Sequence, residues 1–452
     1  MIAILGGGIT GLSAAYQLKK SGIDFILLEQ EDNVGGKIKT IQKEGYTCEL
    51  GPNTVLINNL EIKTLLEELG LYNQIISPDV KAVKNRYVLK NGHIEPIPTS
   101  LPSAISSDLI HLSTVFNVLK ERFKKAQKPN NDESLASFIK RRFGNQIYED
   151  LLTPFVTGIY AGDPERMSIN YVLNILKEAE EKHGSVLKGM IKIMKEKKAK
   201  SAQWNLPKQK IFTFKNGLQT LINSLKTEVE SQLQLSAQVL QIVKKEQQYI
   251  VKYSQNNETH TITVDGIIST LPSHVLAKVH ADSAPSLSEQ LNKINNVPAL
   301  VVHLGYKKEQ LSMQNPAFGI LSRAKENVPF LGVLFNSRFF PHTSTKENEL
   351  LTVICGGYRY PEILQKEDEQ IINELTHSLK SLLQIDGEPN FVHIKRWDKG
   401  IPQYELGYSI IEEEIKEFEI NNTNFKVGGN FYNGISVSDC VKNGINLANQ
   451  FS

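Results

Sequence analysis

In MIAILGGGITGLSAAYQL, Gly6, Gly8 and Gly11 stand at G-x-G-x-x-G spacing directly after the apolar run Ile2 to Leu5. The run predicts a short buried strand and Leu12 to Leu18 predict a helix, so the glycines fall in a strand-to-helix turn. There one glycine makes the tight turn, one lets backbone approach a pyrophosphate, and one lets helix pack on strand. The phosphates then sit at the helix's positive end. Gly6, Gly7, Gly8, Ile9, Thr10 and Gly11 are therefore candidate cofactor-binding residues.

Glycine clusters also occur in ordinary turns, and the residues that follow weigh against that reading. IDFILLEQ predicts a second apolar strand ending at Glu29. This is roughly 20 residues beyond the glycines, where a carboxylate accepts both hydroxyl protons of an adenosine ribose. An acid there counts against a 2′-phosphate, and so against NADP. EDNVGGKIKT brings Gly35, Gly36 and Lys37 close behind. Lys37 either neutralises phosphate, without the forked geometry of an arginine, or is a solvated lysine on a hairpin turn. YTCELGPN predicts a strand delivering Gly51, Pro52, Asn53 and Thr54 into a turn whose free amides can meet a flat ligand; alone, it is only a turn.

Composition narrows the class. The chain has 452 residues, 40% of them hydrophobic, and a net charge of +2. This is enough chain for two or three cored domains, with no sign of disorder and nothing that favours nucleic acid. Cys48, Cys355 and Cys440 are widely spaced and form no CxxC pair, so neither a disulfide framework nor a thiolate zinc site is expected. A reducing cytoplasm fits best, with no apolar run long enough to span a membrane and no basic lead of a signal peptide. The histidines are scattered, His274 and His280 falling on different sides of a helix, and no metal site is expected.

LEIKTLLEELGL has helical spacing with a stop at Gly70, and NRYVLKNGHIEPIP predicts a hairpin around Asn91-Gly92. Residues 100 to 200 turn helical and lysine-rich. A strand-helix unit and a meander follow, closing on an apolar strand over Gly266 to Leu271. The stretch from 296 to 390 is again strand-rich, with one helix near DEQIINELTHSLKSLL. The last segment reads as strand, glycine loop and a helix beginning near Val437. Its free amides and positive end are suited to negative charge on a bound cofactor, or the helix is there for packing alone. The expected fold class is α/β: a discontinuous Rossmann-like dinucleotide-binding domain (1–76, 208–272, 391–452), a mixed-sheet substrate domain (77–99, 273–390) and a helical insert (100–207).

The glycine-rich opening and GGK turn resemble FAD folds of the glutathione-reductase and amine-oxidase type. Taken with ELGPN, LTPFVTGIYAGDPERMS, TFKNGLQTL, ISTLPSHVL, RWDKGIPQYELGY and GGNFYNGISVSDCVKNG, the chain resembles the FAD-dependent protoporphyrinogen and coproporphyrinogen III oxidases of the flavin amine oxidoreductase superfamily. GIYAGDPERMS, IPQY and GISVSDC are the group-specific pieces. The resemblance implies oxidation of a porphyrinogen to the porphyrin in haem synthesis, with oxygen as acceptor and hydrogen peroxide as by-product. It implies Arg86 at a propionate, Phe318, Leu321 and Leu334 around the ring, and Gly158 beside the flavin. It also places Val239 at the adenine, Trp397 near the flavin, and Ile435, Ser436 and Val437 at the isoalloxazine.

IPQYELGY has no cysteine where monoamine oxidases tether their flavin, so the FAD is expected to be non-covalent. From the residues alone, Arg86 is equally an exposed strand arginine, and Phe318, Leu321 and Leu334 are core residues. The partners implied are a porphyrinogen, oxygen, and a second copy or another haem-pathway enzyme, with peripheral contact at the inner membrane. SVLKGMIKIMKEKKAK sets Leu187, Met190, Ile191 and Met194 on one helix face among lysines. That pattern suits an anionic bilayer or a helix covering an apolar core, the latter being the commoner use. An amine oxidase or carotenoid-desaturase-like enzyme, or a non-catalytic flavin or tetrapyrrole binder, are the rival readings.

Overall fold

The computed structural model describes residues 1–126, 132–313 and 317–451. Five short parallel strands form its first sheet: β1 (Ile2–Leu5), β2 (Phe25–Leu28), β3 (Leu233–Gln234), β4 (Gly266–Ser269) and β5 (Phe425–Val427), in the order β3-β2-β1-β4-β5. A parallel sheet is covered on both faces, which is why β1 and β4 are buried at every position. Helix α1 (Ile9–Lys20) follows β1 directly, and helix α2 (Val437–Ala448) packs across it. Gly444 permits the crossing, because a Cβ there would lie 2.2 Å from the Thr10 carbonyl oxygen.

A seven-stranded mixed sheet forms the second layer. Its strands run Phe391–Pro402, Asn296–Lys307, Asn348–Gly356, Gly332–Leu334, Gly319–Ser322, Arg86–Lys90 and His93–Pro96. The last two make the hairpin expected around Asn91-Gly92, with both turn residues at positive φ. Helix Asp368–Leu383 buries Ile371, Leu375 and Leu379 against one face of this sheet. The described residues between 101 and 203 are helical wherever regular, and Leu109, Ile110 and Val115 from this insert pack with Val88 and Leu321 of the other face.

Two expectations change. The strand Phe391–Pro402, assigned from sequence to the nucleotide-binding part, lies at the edge of the mixed sheet, paired antiparallel with Asn296–Lys307 from Gly305↔Phe391 to Asn296↔Pro402. Its twelve residues bind a long partner, whereas the strands of the parallel sheet have four residues or fewer. Helix Val186–Gln203 covers core, as in the second of its two readings, but with a rotated face. Val186, Gly189 and Ile193 are buried while Ile191 and Met194 are exposed. Gly189 sets the rotation by abutting Ala179 of the neighbouring helix. No helix among the described residues is long and apolar enough to cross a membrane.

Candidate active site

The glycine turn is built as its spacing requires. Gly6 has φ +99°, and a Cβ on Gly11 would lie 2.0 Å from the Gly6 carbonyl oxygen, so α1 rests against the end of β1. A Cβ on Gly8 would meet nothing within 4 Å. The turn is therefore closed where helix meets strand and open where a phosphate would lie. Gly7 donates its amide to the Glu29 carboxylate at 2.6 Å, and Glu31 donates to the other Glu29 oxygen at 2.9 Å. Burial raises the pKa of Glu29, and these amide bonds oppose the shift. Ile9 and Thr10 are buried at the start of α1.

Gly35 lies in register beside Gly8 and donates to the Gly7 carbonyl at 2.9 Å, so the second glycine pair flanks the first. Gly36 continues this turn at φ +57°. Lys37 follows with its ammonium half-buried, its pKa pushed down to about 8 by desolvation. Among the described residues its hydrogen bond goes to the Lys399 carbonyl and no carboxylate pairs with it. A desolvated cation that finds only a carbonyl is short of an anion. Its ammonium lies 5.3 Å from the ring centroid of Trp397, which Lys395 approaches at 4.5 Å. Trp397 donates its indole N–H to Leu50 at 2.7 Å, tying the mixed sheet to the Gly51-Pro52-Asn53-Thr54 turn. A Cβ on Gly51 would lie 2.0 Å from the Lys37 carbonyl oxygen, so the two loops touch.

Val239 lies near Glu29, because Ala237 two residues earlier donates to the Glu29 carbonyl at 2.7 Å. Ile435 and Ser436 lead into α2 at Val437. The Ser436 hydroxyl caps that helix by accepting from the Asp439 amide at 3.1 Å and donating to its carboxylate at 2.6 Å. The remaining amides of the first turn have no carbonyl partner within the helix.

The predicted substrate residues fall on adjoining strands. Arg86, Gly319 and Leu334 form one cross-strand row, and Val88, Leu321 and Gly332 the next. Residues two apart share a face, so Arg86, Leu321 and Leu334 project from the same side, with the Leu334 and Leu321 methyls lying over Gly319 and Gly332. Phe318 precedes its strand and packs on Phe339 at 4.6 Å. The Arg86 guanidinium stacks on the Phe318 ring at 5.0 Å. Partial desolvation lowers its pKa, and among the described residues no carboxylate pairs with it. Gly158 abuts Leu321: a Cβ there would lie 2.4 Å from a Leu321 methyl. A separate cleft of about 610 Å³, lined by Leu89, Glu326, Lys366 and His377, opens on the opposite face of this sheet.

Sequence reasoning missed Asn336, Thr270 and Gln403. Asn336, two residues past Leu334, donates to Asn53 at 3.0 Å and so joins the strand carrying Leu334 to the Gly51–Thr54 turn. The Thr270 hydroxyl donates to the carbonyls of Leu5 and Gly6 at 3.0 Å. Gln403 is buried in the IPQY motif and donates to the Tyr160 carbonyl at 2.9 Å. None of these has a spacing signal, since each acts across distant parts of the chain.

A dinucleotide-type turn, a half-buried lysine beside it and an apolar row on the adjoining sheet are the parts of a cofactor-binding enzyme, and the chain belongs to the flavin-containing amine oxidoreductase family, whose profile matches residues 9–450. It is 29% identical to protoporphyrinogen oxidase 2 of Arabidopsis thaliana, covering 99% of this chain and 92% of that protein. It is 28% identical to coproporphyrinogen III oxidase of Bacillus subtilis (strain 168), covering 98% and 96%. Among solved structures, a protein assigned as a protoporphyrinogen oxidase from Exiguobacterium sp. 255-15 superposes with a TM-score of 0.84 at 22% identity, covering 100% of this chain and 98% of that one. Putrescine oxidase superposes at 0.74 with 14% identity, covering 99% and 97%. These likenesses establish the amine-oxidase-type α/β fold expected from sequence.

Proposed function

We propose that the protein is an FAD-dependent porphyrinogen oxidase of haem biosynthesis. One observation carries the reading: full-length similarity to both a protoporphyrinogen and a coproporphyrinogen III oxidase, in a chain where Arg86, Leu321 and Leu334 share one face of a sheet joined to the flavin-side turn through Asn336 and Asn53. Bound FAD supplies the acceptor for two electrons in each of three steps, with oxygen as final acceptor and hydrogen peroxide released. Gly8 and the first turn of α1 would hold the pyrophosphate, with Lys37 as its counter-cation and Glu29 on the ribose. Val239 would meet the adenine, and Trp397, the Gly51–Thr54 turn and Ile435–Val437 the ring end. No covalent tether is proposed.

Arg86 would pair with a propionate, the charge-assisted bond that fixes orientation. Phe318, Leu321 and Leu334 would bound the macrocycle, and Gly158 would let backbone lie close to it. These residues contribute placement and exclusion of water, the main demands of a hydride transfer from a bridging carbon. The division into an FAD-binding part, a substrate sheet and a helical insert is part of this proposal.

We also propose a weak peripheral membrane contact. It is made by Leu112, Phe116, Leu119 and Phe123 on the helical turns 112–123, where Phe116 and Phe123 are 61% and 74% exposed. Lys120, Arg122, Lys124 and Lys125 surround them, the pattern of an interfacial helix on anionic lipid. The test of the enzymatic reading is to purify the protein, record its flavin absorption, and add protoporphyrinogen or coproporphyrinogen without oxygen. Bleaching of the flavin band, with porphyrin fluorescence appearing, is expected. A colourless protein that refuses FAD, or a yellow one that neither porphyrinogen bleaches, refutes it.

A further inference from the structure

We infer that the charge cluster of Lys90, Asp150, Arg323 and Glu326 is a latch that sets the width of the substrate slot and thereby selects between porphyrinogens. The inference rests on the porphyrinogen reading above and names residues that do not themselves touch the macrocycle.

Each wall of the proposed slot sends one charge into the cluster. The strand that starts at Arg86 ends at Lys90, the strand carrying Leu321 is followed at once by Arg323, and the helix carrying Gly158 is preceded by Asp150. Arg323 donates to Asp150 at 2.6 Å and to Glu326 at 2.7 and 3.0 Å, and Lys90 pairs with the other Asp150 oxygen at 3.3 Å. Glu326 in turn accepts the amides of Asn91 and Gly92 at 2.9 and 3.2 Å, fixing the hairpin tip, while Arg323 reaches the Asn91 side chain at 2.8 Å. Asp150, Arg323 and Glu326 are buried, and the two cations balance the two anions.

The backbone is shaped to deliver Asp150. Residues Tyr148–Leu152 form a π-helical turn before helix Thr153–Tyr160, so one extra residue is accommodated where Asp150 turns inward. Arg359 donates to the carbonyls of Ser322 and Arg323 at 2.8 and 2.7 Å and fixes the end of the Leu321 strand. The latch thus spans Gly158 and Leu321, the pair whose contact would be lost if the walls parted. A buried pair deprived of one partner leaves an uncompensated charge, and the walls then relax apart. Coproporphyrinogen carries two propionates where protoporphyrinogen carries vinyl groups and needs the wider slot.

The test compares kcat/KM for the two porphyrinogens in wild type, Arg323→Met and Asp150→Asn. Binding of protoporphyrin IX and coproporphyrin III, followed by fluorescence titration, supplies a readout without turnover. The coproporphyrinogen to protoporphyrinogen ratio is expected to rise about tenfold or more in both variants, the scale of ångström-order misplacement, with flavin content unchanged. Lys325→Ala, which breaks only the exposed pair with Glu149, is expected to leave the ratio alone. Lys90→Met, which removes the cation pairing with the other Asp150 oxygen, is expected to move the ratio in the same direction and carries the test should the other variants not fold. Unchanged ratios in folded, flavin-loaded variants overturn the latch alone, whereas a wild type that oxidises neither porphyrinogen overturns the reading beneath it as well.

Discussion

Replacing Gly8 and Gly11 separately by alanine tests the glycine turn, because the structure assigns the two positions opposite consequences. Gly8 has φ −69° and ψ 176°, a conformation any residue adopts, and its Cβ would meet no atom within 4 Å. Gly8→Ala therefore leaves the apoprotein folded, with a gain of about 0.4–1 kcal/mol from the stiffer unfolded chain. The new methyl occupies the space where a diphosphate would approach the amides. Losing two charge-assisted bonds at about 1.5–3 kcal/mol each weakens FAD by at least about 3 kcal/mol, or roughly a hundredfold in Kd. Gly11→Ala instead drives its Cβ to 2.0 Å from the Gly6 carbonyl oxygen. Backbone faces backbone there and no side chain can rotate away, so the fold itself loses about 3 kcal/mol or more. The assays are thermal unfolding of the apoproteins and quenching of flavin fluorescence on titration. A Gly8→Ala protein that binds FAD like the wild type, or a Gly11→Ala apoprotein of unchanged melting temperature, would refute the assigned geometry.

The remaining predictions concern charge and surface. Because Lys37 titrates near pH 8 in the folded apoprotein and at 10.5 ordinarily, the unfolded chain holds the extra proton between those values. Its burial therefore costs stability below pH 8, and the apoprotein gains stability as pH rises from about 8 to 10.5. FAD affinity falls over the same rise as the counter-cation is lost; Lys37→Met is expected to remove both trends, and unchanged pH profiles in that variant would exclude this role. Arg86→Ala should weaken porphyrinogen binding by about 1–3 kcal/mol, read as a raised KM, and an unaltered KM for both porphyrinogens rejects Arg86 as the anchor. Sedimentation with anionic liposomes is expected at low salt, to fall at high salt, and to be lost in Phe116→Ser/Phe123→Ser; salt-independent sedimentation counts against the surface.

Local signals were legible and long-range ones were not. The positions of Gly6, Gly8, Gly11 and Glu29 follow from short-range spacing, because a strand, a tight turn and a helix are specified by neighbours in the chain. The hairpin at Asn91-Gly92 was equally plain, since only certain dipeptides accept its positive φ values. The placement of Phe391–Pro402 was hidden because its partner, Asn296–Lys307, lies about a hundred residues away and strand pairing leaves little local trace. The rotated face of Val186–Gln203 was hidden for the same reason, as the contact of Gly189 with Ala179 overrides apolar periodicity. Nothing local in the sequence links Asp150 with Arg323, 173 residues apart, and only the fold brings them together.

The parallel sheet has an implication for the life history of the molecule. Its edge strand β5 and the helix α2 that crosses α1 come from residues 425–448, while β1 comes from residues 2–5. During synthesis β1 can pair with β2 early and with β4 once residue 269 has emerged, but β5 and the helix that packs across α1 are added only when almost everything else has left the ribosome. Capture of the coloured prosthetic group is accordingly a late event, and a polypeptide cut short before residue 425 should emerge colourless despite carrying every glycine of its opening turn.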